Sequence, residues 1–320
     1  MIKLTPHKNF TVNLYSNYIN DFHNFTCVIK TGWDFDREGK LIRMVDLPAI
    51  EEIDRYYSEP NKSSLIAAHE IMPHKKGSEI LVYGTAQVAS ANTNITQVCV
   101  GIEWPDHKKS WQKILNVFGP RYWQSTLVGC IPGKPTALES LPLRYEYAYG
   151  GKDPKGKQKV YSKNPAGLGF TESSRIANLQ MPQIENERCI TKILEHPNPA
   201  GFAPIPIAWQ LADKSPHQAI TISNVAPTDQ QFEQPFIGNE KIILKGLVSN
   251  VPTKQAVTLT VPTDKPELHL TLDSKQQFLK PVCDTLVINT DSMQCHMVWR
   301  VNIPWPLDNE QDGDLKAIAK

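Results

Sequence analysis

The chain has 320 residues, 40% of them hydrophobic, and a formal charge of +1 from 34 basic and 33 acidic side chains. That apolar content supports one large folded core or two ordinary ones and excludes global disorder, which goes with lower hydrophobicity and higher net charge. The charge balance leaves no general field for nucleic acid or an acidic membrane surface, and the compositional oddity is 25 Pro against 17 Gly.

Met1 to Lys8 contain no apolar h-region, so no secretory signal is expected and the cytoplasm is the expected compartment. Strand patterns are expected at 25–30 and 40–46. Between them Asp34 and Asp36 form a carboxylate pair that reads better as a solvated turn than as an acid/base couple. Ala49 to Tyr56 predicts a two-turn helix. His69-Glu70-Ile71-Met72-Pro73-His74 resembles a zincin helix, but its spacing is one residue too long and Pro73 breaks the helix, so no metal site is expected. Glu79–Tyr83 and Asn94–Val100 flank a polar stretch and predict a hairpin-like pair. The longest uncharged tract, Thr85 to Ile102, holds too many amides and hydroxyls to cross lipid.

Further strands are expected at 113–118 and 143–149. In the second, Tyr145, Tyr147 and Tyr149 would share one face, as core or interface rather than as a nucleic-acid platform, given the balanced charge. Gly151 to Gln158 is a near miss for a P-loop. Gln158 stands where magnesium needs a hydroxyl, so a charged turn is expected. Thr171 to Ile176 could open a helix from a Thr cap. Strands are expected at 188–193, 219–225 and 240–247. From about 130 to 240 the chain is rich in Pro, which cannot donate within a ladder, so long ordered connections over a sheet scaffold are expected. Asn-Pro-Ala-Gly occurs at Asn164–Gly167 and Asn198–Gly201 and reads as two similar Pro-initiated turns.

Toward the C-terminus the period is plainly two. Val257, Leu259 and Val261 alternate with Thr258 and Thr260, and Leu268, Leu270 and Leu272 with His269 and Thr271. Asp284–Thr290 and Cys295–Ile303 predict a further pair joined through Asp291-Ser292. Asn309 to Lys320 are polar and read as a loose tail, leaving 1–308 as one β-rich domain. The six Cys are scattered without a C-x-x-C pair, which fits buried reduced thiols. No G-x-S-x-G elbow is present. The expected fold class is therefore mainly β: antiparallel sheets, sandwich-like, with two packed β lobes as a variant, long Pro-rich ordered loops and few short helices.

The remaining landmarks, in order, resemble one family. They are the run from His69 to Ala86 with Glu70, Pro73, Lys75 and Glu79; Gly119-Pro120-Arg121-Tyr122-Trp123; and Leu141 to Gly151. Asn164 to Phe170, Met181 to Glu185, Pro199 to Ile205, Trp209, Ala226 to Gln231 and Gly238 to Glu240 follow. Asp284 to Val287 and Trp299-Arg300 close the series. Together they span about residues 20 to 303. They resemble a bacterial domain-of-unknown-function family of type VI secretion adaptors and chaperones, encoded beside PAAR and VgrG spike proteins. Pro120 departs from the family's usual acid, and the stretch from Gln210 to Val225 is shorter than the family's.

The resemblance implies a non-enzymatic cytoplasmic adaptor that stabilises a PAAR-containing effector and loads it onto the VgrG spike, without cofactor, metal, nucleic acid or membrane insertion. The candidate partner contacts are Arg121, Trp123, Arg144, Phe170, Phe202 and Trp209, since aromatic and Arg anchors carry protein interfaces. Core packing is the competing reading for each. An open edge strand is a further device for binding a client. The alternative function is a β-sandwich carbohydrate-binding or hydrolytic protein, which would need a cleft with convergent carboxylates.

Overall fold

Alternation of apolar and polar residues builds two sheets that face each other across one core. The computed structural model describes all residues except 1, 6, 20–21, 61, 107–108, 157, 177, 213–222, 273–274, 305–312 and 320. A seven-stranded sheet runs in the order Gln231–Phe232, Ser78–Tyr83, Val282–Asn289, Gln294–Pro304, Phe22–Phe35 and Thr11–Ile19, with Leu41–Arg43 pairing the Phe22–Phe35 strand off that path. A five-stranded sheet runs Ile184–Asn186, Ser110–Phe118, Ile95–Glu103, Lys241–Lys245 and Ala256–Thr260. Ile29, Ile80, Leu286 and Trp299 from the first sheet and Val98, Val100, Leu115, Ile242 and Leu259 from the second share one buried cluster. Each fully buried side chain of this kind contributes about 1.5–3 kcal/mol, so the interface between the sheets is the main stabilising element. The protein is a mainly β sandwich, as the alternation predicts.

A smaller sheet joins the chain ends in the order Ile2–Thr5, Gly313–Ala319, Pro266–Leu272 and Lys275–Leu279. Leu268 and Leu270 carry it onto the main cluster. Residues 313–319 are thus a strand, where polar composition suggested a loose tail. The strand is paired on both sides, and backbone pairing does not need an apolar sequence.

The hairpin of Val282–Asn289 with Gln294–Pro304 forms as expected. Val257 and Leu259 point inward while Ala256 and Thr260 stay exposed. Other expectations change. Ser78–Tyr83 and Ile95–Glu103 do not pair with each other; they lie in opposite sheets. Ser78–Tyr83 runs parallel to Val282–Asn289, with Ile80 opposite Leu286. Five of its six residues are buried, and a strand covered on both faces belongs at a sheet centre. Residues 49–56 form no helix. Both backbone groups of Glu51 are taken by Glu70: its N–H by the Glu70 carboxylate at 2.9 Å and its C=O by the Glu70 N–H at 2.7 Å. Arg55–Tyr56 instead pairs with Leu65–Ala67.

The 143–149 strand is replaced by a 3-10 turn at Tyr145–Tyr147. Tyr145 therefore enters the main cluster, with Tyr147 packed against it, and Tyr149 enters a second one, so the three do not share one face. Thr171–Ile176 is not helical, and 188–193 is not a strand; pairing there falls on Ile184–Asn186. The expected 40–46 strand shortens to Leu41–Arg43. Of the expected 219–225 strand, 219–222 lie outside the described residues and 223–225 have no regular structure. A five-residue helix, Ile207–Leu211, has no counterpart among the predicted elements.

The described residues of the Pro-rich middle have little regular structure. Among the described residues from 133 to 240 the strands are two or three residues long. Order comes from the second cluster, Trp123, Tyr149, Phe170, Ile176, Met181, Ile190 and Ile193. It also comes from Asn164, whose side-chain amide donates to the carbonyls of Tyr145 at 2.8 Å and Tyr149 at 3.0 Å. Gly151, at φ +88°, lies where a Cβ would come within 2.2 Å of the Gly167 carbonyl. Only Gly permits that crossing of the Gly150-Gly151 corner and the first Asn-Pro-Ala-Gly turn.

Candidate functional site

The outward face of the seven-stranded sheet is charged. Period two puts Ile29, Ile80 and Trp299 inward, so Lys30, Glu79 and Arg300 point the other way. A bulge between Cys283 and Thr285 brings Asp284 and Thr285 to the same side. The segment 48–76 crosses this face as a strap and adds Glu70 and Lys75.

These groups form one chain of contacts. The Lys30 Nζ lies 2.8 Å from one Glu70 carboxylate oxygen and 2.9 Å from the other. Arg300 donates to the Glu70 backbone carbonyl at 2.6 Å and pairs with Asp284. The Thr285 hydroxyl donates to Asp284 at 2.8 Å and accepts from Lys75 at 2.9 Å. Lys75 pairs with Glu79, whose carboxylate also accepts the backbone N–H groups of Val225 and Ala226, each at 2.9 Å. All six charged side chains are buried. Three cations meet three anions, so the network is internally neutral. Its hydrogen bonds offset the desolvation that burying charge costs, and it specifies one seating of the strap on the sheet.

A cavity of about 250 Å³ lies over this network, lined among others by Lys30, Glu70, Lys75, Thr285, Tyr83 and His296. An adjoining cavity of about 140 Å³ shares Tyr83 and reaches Arg144. Burial, helped by the Lys30 charge, pushes the His296 imidazole down to about 4, so it is neutral at physiological pH. Its Nε2 has no hydrogen-bond partner among the described residues. The zincin-like residues part company here. His69 bonds Asp54 through Nδ1 at 2.8 Å, Glu70 holds Lys30, and His74 is exposed. Among the described residues no group of three or more His, Cys, Asp or Glu could hold a metal ion. No helix among them is long and apolar enough to cross a membrane.

The six candidate contacts do not gather into one patch. Arg121 is buried, paired with Glu185, its guanidinium 3.6 Å from the Phe118 ring centre. Trp123 and Phe170 belong to the second cluster, and Phe202 and Trp209 to the main core. Trp209 also lines a groove of about 460 Å³ with Lys113, Pro199, Ile205 and Pro227. Arg144 is half-buried, its guanidinium 3.5 Å over the Tyr57 ring, at the smaller cavity. Four of the six are thus core or cluster aromatics, and Arg121 is a buried ion-pair member.

Two features escape sequence reasoning. One is the network itself, whose members are scattered from Lys30 to Arg300. The other is the hairpin Trp123–Thr126 with Gly129–Pro132, whose tip carries exposed Leu127 and Val128. Leu127 and Val128 have strand composition, and Gly129 is the one turn signal beside them.

No curated protein and no solved structure matches the chain. The family model described as "Uncharacterized protein conserved in bacteria (DUF2169)" matches residues 21–300. That span takes in every strand of the two facing sheets except Thr11–Ile19 and the last residues of Gln294–Pro304, together with the whole ionic network. The chain therefore belongs to the bacterial DUF2169 family.

Proposed function

We propose that this chain is a non-enzymatic type VI secretion adaptor, acting in the cytoplasm, that binds and stabilises a PAAR-containing effector and helps load it onto the VgrG spike. The observation that carries this reading is the set of packed loops formed by the described residues between 133 and 240. Those loops hold their conformation through the second cluster, the Asn164 amide and the Arg121–Glu185 pair. Preordered loops lose little conformational entropy on binding, which suits a surface that recognises a folded partner by shape. The series of landmarks resembling secretion adaptors supports the same reading, and all of it, from His69 to Arg300, lies within the span of the family match.

Affinity purification of the tagged chain from its native bacterium tests the proposal. Recovery of a PAAR-bearing protein is the expected result. Deletion of the gene should lower effector level and effector-dependent killing while general firing persists. Retention on polysaccharide, with no secretion protein recovered, would overturn the proposal in favour of carbohydrate binding.

A further inference from the structure

Arg144 is a half-buried arginine with no carboxylate to hold. The other arginines that are buried or half-buried, Arg43, Arg121 and Arg300, pair with Asp264, Glu185 and Asp284. Among the described residues no acidic side chain pairs with Arg144, and its guanidinium makes no hydrogen bond. Its near neighbour Glu146 turns both carboxylate oxygens to Ser64, accepting the backbone N–H at 2.9 Å and the hydroxyl at 2.6 Å. The guanidinium lies over the Tyr57 ring, 3.5 Å from its centre, and its Nε is sealed from solvent without a partner. Stacking occupies the flat face of a guanidinium and leaves its terminal N–H groups unspent, the fork that matches a carboxylate. Partly burying that charge costs desolvation that a bound anion would offset.

The cavity of about 140 Å³ that Arg144 lines offers the rest of a site. Asn289, on its wall, spends its Oδ1 on the N–H groups of Asp291 at 3.0 Å and Ser292 at 3.1 Å, which leaves its NH2 group as a second donor. Leu65, Leu143 and Ala203 supply an apolar wall. Asp291 also lines the cavity, its carboxylate accepting the Thr85 hydroxyl at 3.0 Å. One Arg beside one acid suits a singly charged ligand and repels a phosphate dianion. We infer that Arg144 and Asn289 form a binding site for a monocarboxylate on a short aliphatic stem, with the carboxylate in the Arg144 fork and the stem along Leu65 and Leu143. Such a group arrives either as a free short-chain acid or as a glutamate side chain of a bound polypeptide. The site stands on its own geometry and does not require the adaptor reading.

NMR titration of the full chain tests the site, read at the Arg144 Nε–H and the Asn289 side-chain amide, with butyrate, butyramide and inorganic phosphate as probes. Butyrate should shift both signals saturably. Butyramide, of the same shape without the charge, should not. R144M should weaken butyrate binding at least about tenfold, read at Asn289, because it removes the charge-assisted hydrogen bonds. R144K keeps the charge without the fork and should bind at least about threefold more weakly than wild type. The peptide acetyl-Ala-Glu-Ala-amide separates the two sources. Tighter binding than butyrate assigns the site to a polypeptide's glutamate, and equal or weaker binding assigns it to a free acid. Equal shifts by butyrate and butyramide, phosphate binding as tight as butyrate, wild-type affinity in R144M, or no saturable shift with either butyrate or the peptide overturns the inference. The butyrate and butyramide comparison uses only the wild-type chain, so it decides the matter where R144M does not fold. None of these outcomes bears on recovery of a secretion partner, so the adaptor reading stands or falls separately.

Discussion

Arg300 and Asp284 meet in an ion pair beneath the strap, their side chains 4% and 7% exposed, although they are sixteen residues apart on adjacent strands. The pair does more than join two strands. Arg300 also holds the strap through the Glu70 carbonyl, and Asp284 receives the Thr285 hydroxyl that passes the network on to Lys75. Removing one partner leaves the other charge buried without compensation. R300M should therefore destabilise the protein by about 3–5 kcal/mol in chemical denaturation. R300M/D284L, which removes both charges, should recover much of that loss. If R300M unfolds at the wild-type midpoint, the network does not hold the strap.

His296 gives the strap a pH dependence. Its folded pKa is pushed down to about 4, mainly by burial, against an ordinary value of 6.5. Between those values the unfolded chain binds a proton that the folded chain does not, so acid favours unfolding in that window. Stability should fall as pH drops from about 6.5 to 4 and this contribution should level off below, to a full extent of about 3 kcal/mol. H296Q keeps a polar side chain without a titrating proton and should flatten the slope between pH 6.5 and 4. Equal slopes in H296Q and wild type would assign the acid sensitivity to other groups.

Asn164 ties the first Asn-Pro-Ala-Gly turn to the Tyr145–Tyr149 corner. It is fully buried, and its amide serves the carbonyls of both Tyr145 and Tyr149. N164A leaves two buried carbonyls without that donor, at about 1–3 kcal/mol each. Stability should drop by about 2–4 kcal/mol. The loss should concentrate in the second cluster, read as faster amide exchange at Leu168 and Phe170, whose N–H groups bond the carbonyls of Ala148 and Gly150. Protection unchanged at those two amides would show that the loops are ordered by packing alone.

Residues 256–272 and 282–304 show how much of the frame local pattern can carry. Their side chains alternate, and the strands appear where the period places them. Pairing across the chain is another matter. The 79–83 run has the same period whether it joins its neighbour at 94–100 or a strand 200 residues away. What selects Val282–Asn289 is burial of both faces, a property of the assembled sheet. The landmarks Glu70, Lys75, Glu79, Asp284 and Arg300 were legible one at a time. Their convergence was not, because each ionic partner sits on a different strand or on the strap. The aromatic candidates sit in the core for a related reason. Trp123, Phe170 and Phe202 are what loops without regular structure need to stay ordered, so large side chains in such a region mark its core before they mark its surface.

The six free cysteines test the two-sheet core directly. Cys27 and Cys295 are buried, and burial pushes their thiols up to about 12; the Cys283 thiol is also pushed well up, first by burial, with Asp284 adding to it. At pH 8 a thiol at 12 is ionised in roughly one molecule in ten thousand, and the thiolate is the reactive form. Cys130 is half-buried at the root of the hairpin, and Cys99 and Cys189 are half-buried with thiols raised chiefly by burial. Native protein at pH 8 should therefore titrate three thiols with a disulfide reagent, Cys130 first, and the other three only when denaturant is added. The buried three then label no faster than the core opens, which links this measurement to the ion pair. R300M lowers the free energy of opening, so it should speed labelling of Cys27, Cys283 and Cys295 while leaving Cys130 unchanged. Labelling of Cys295 in the native wild type as fast as Cys130 would contradict a sealed core between the two sheets.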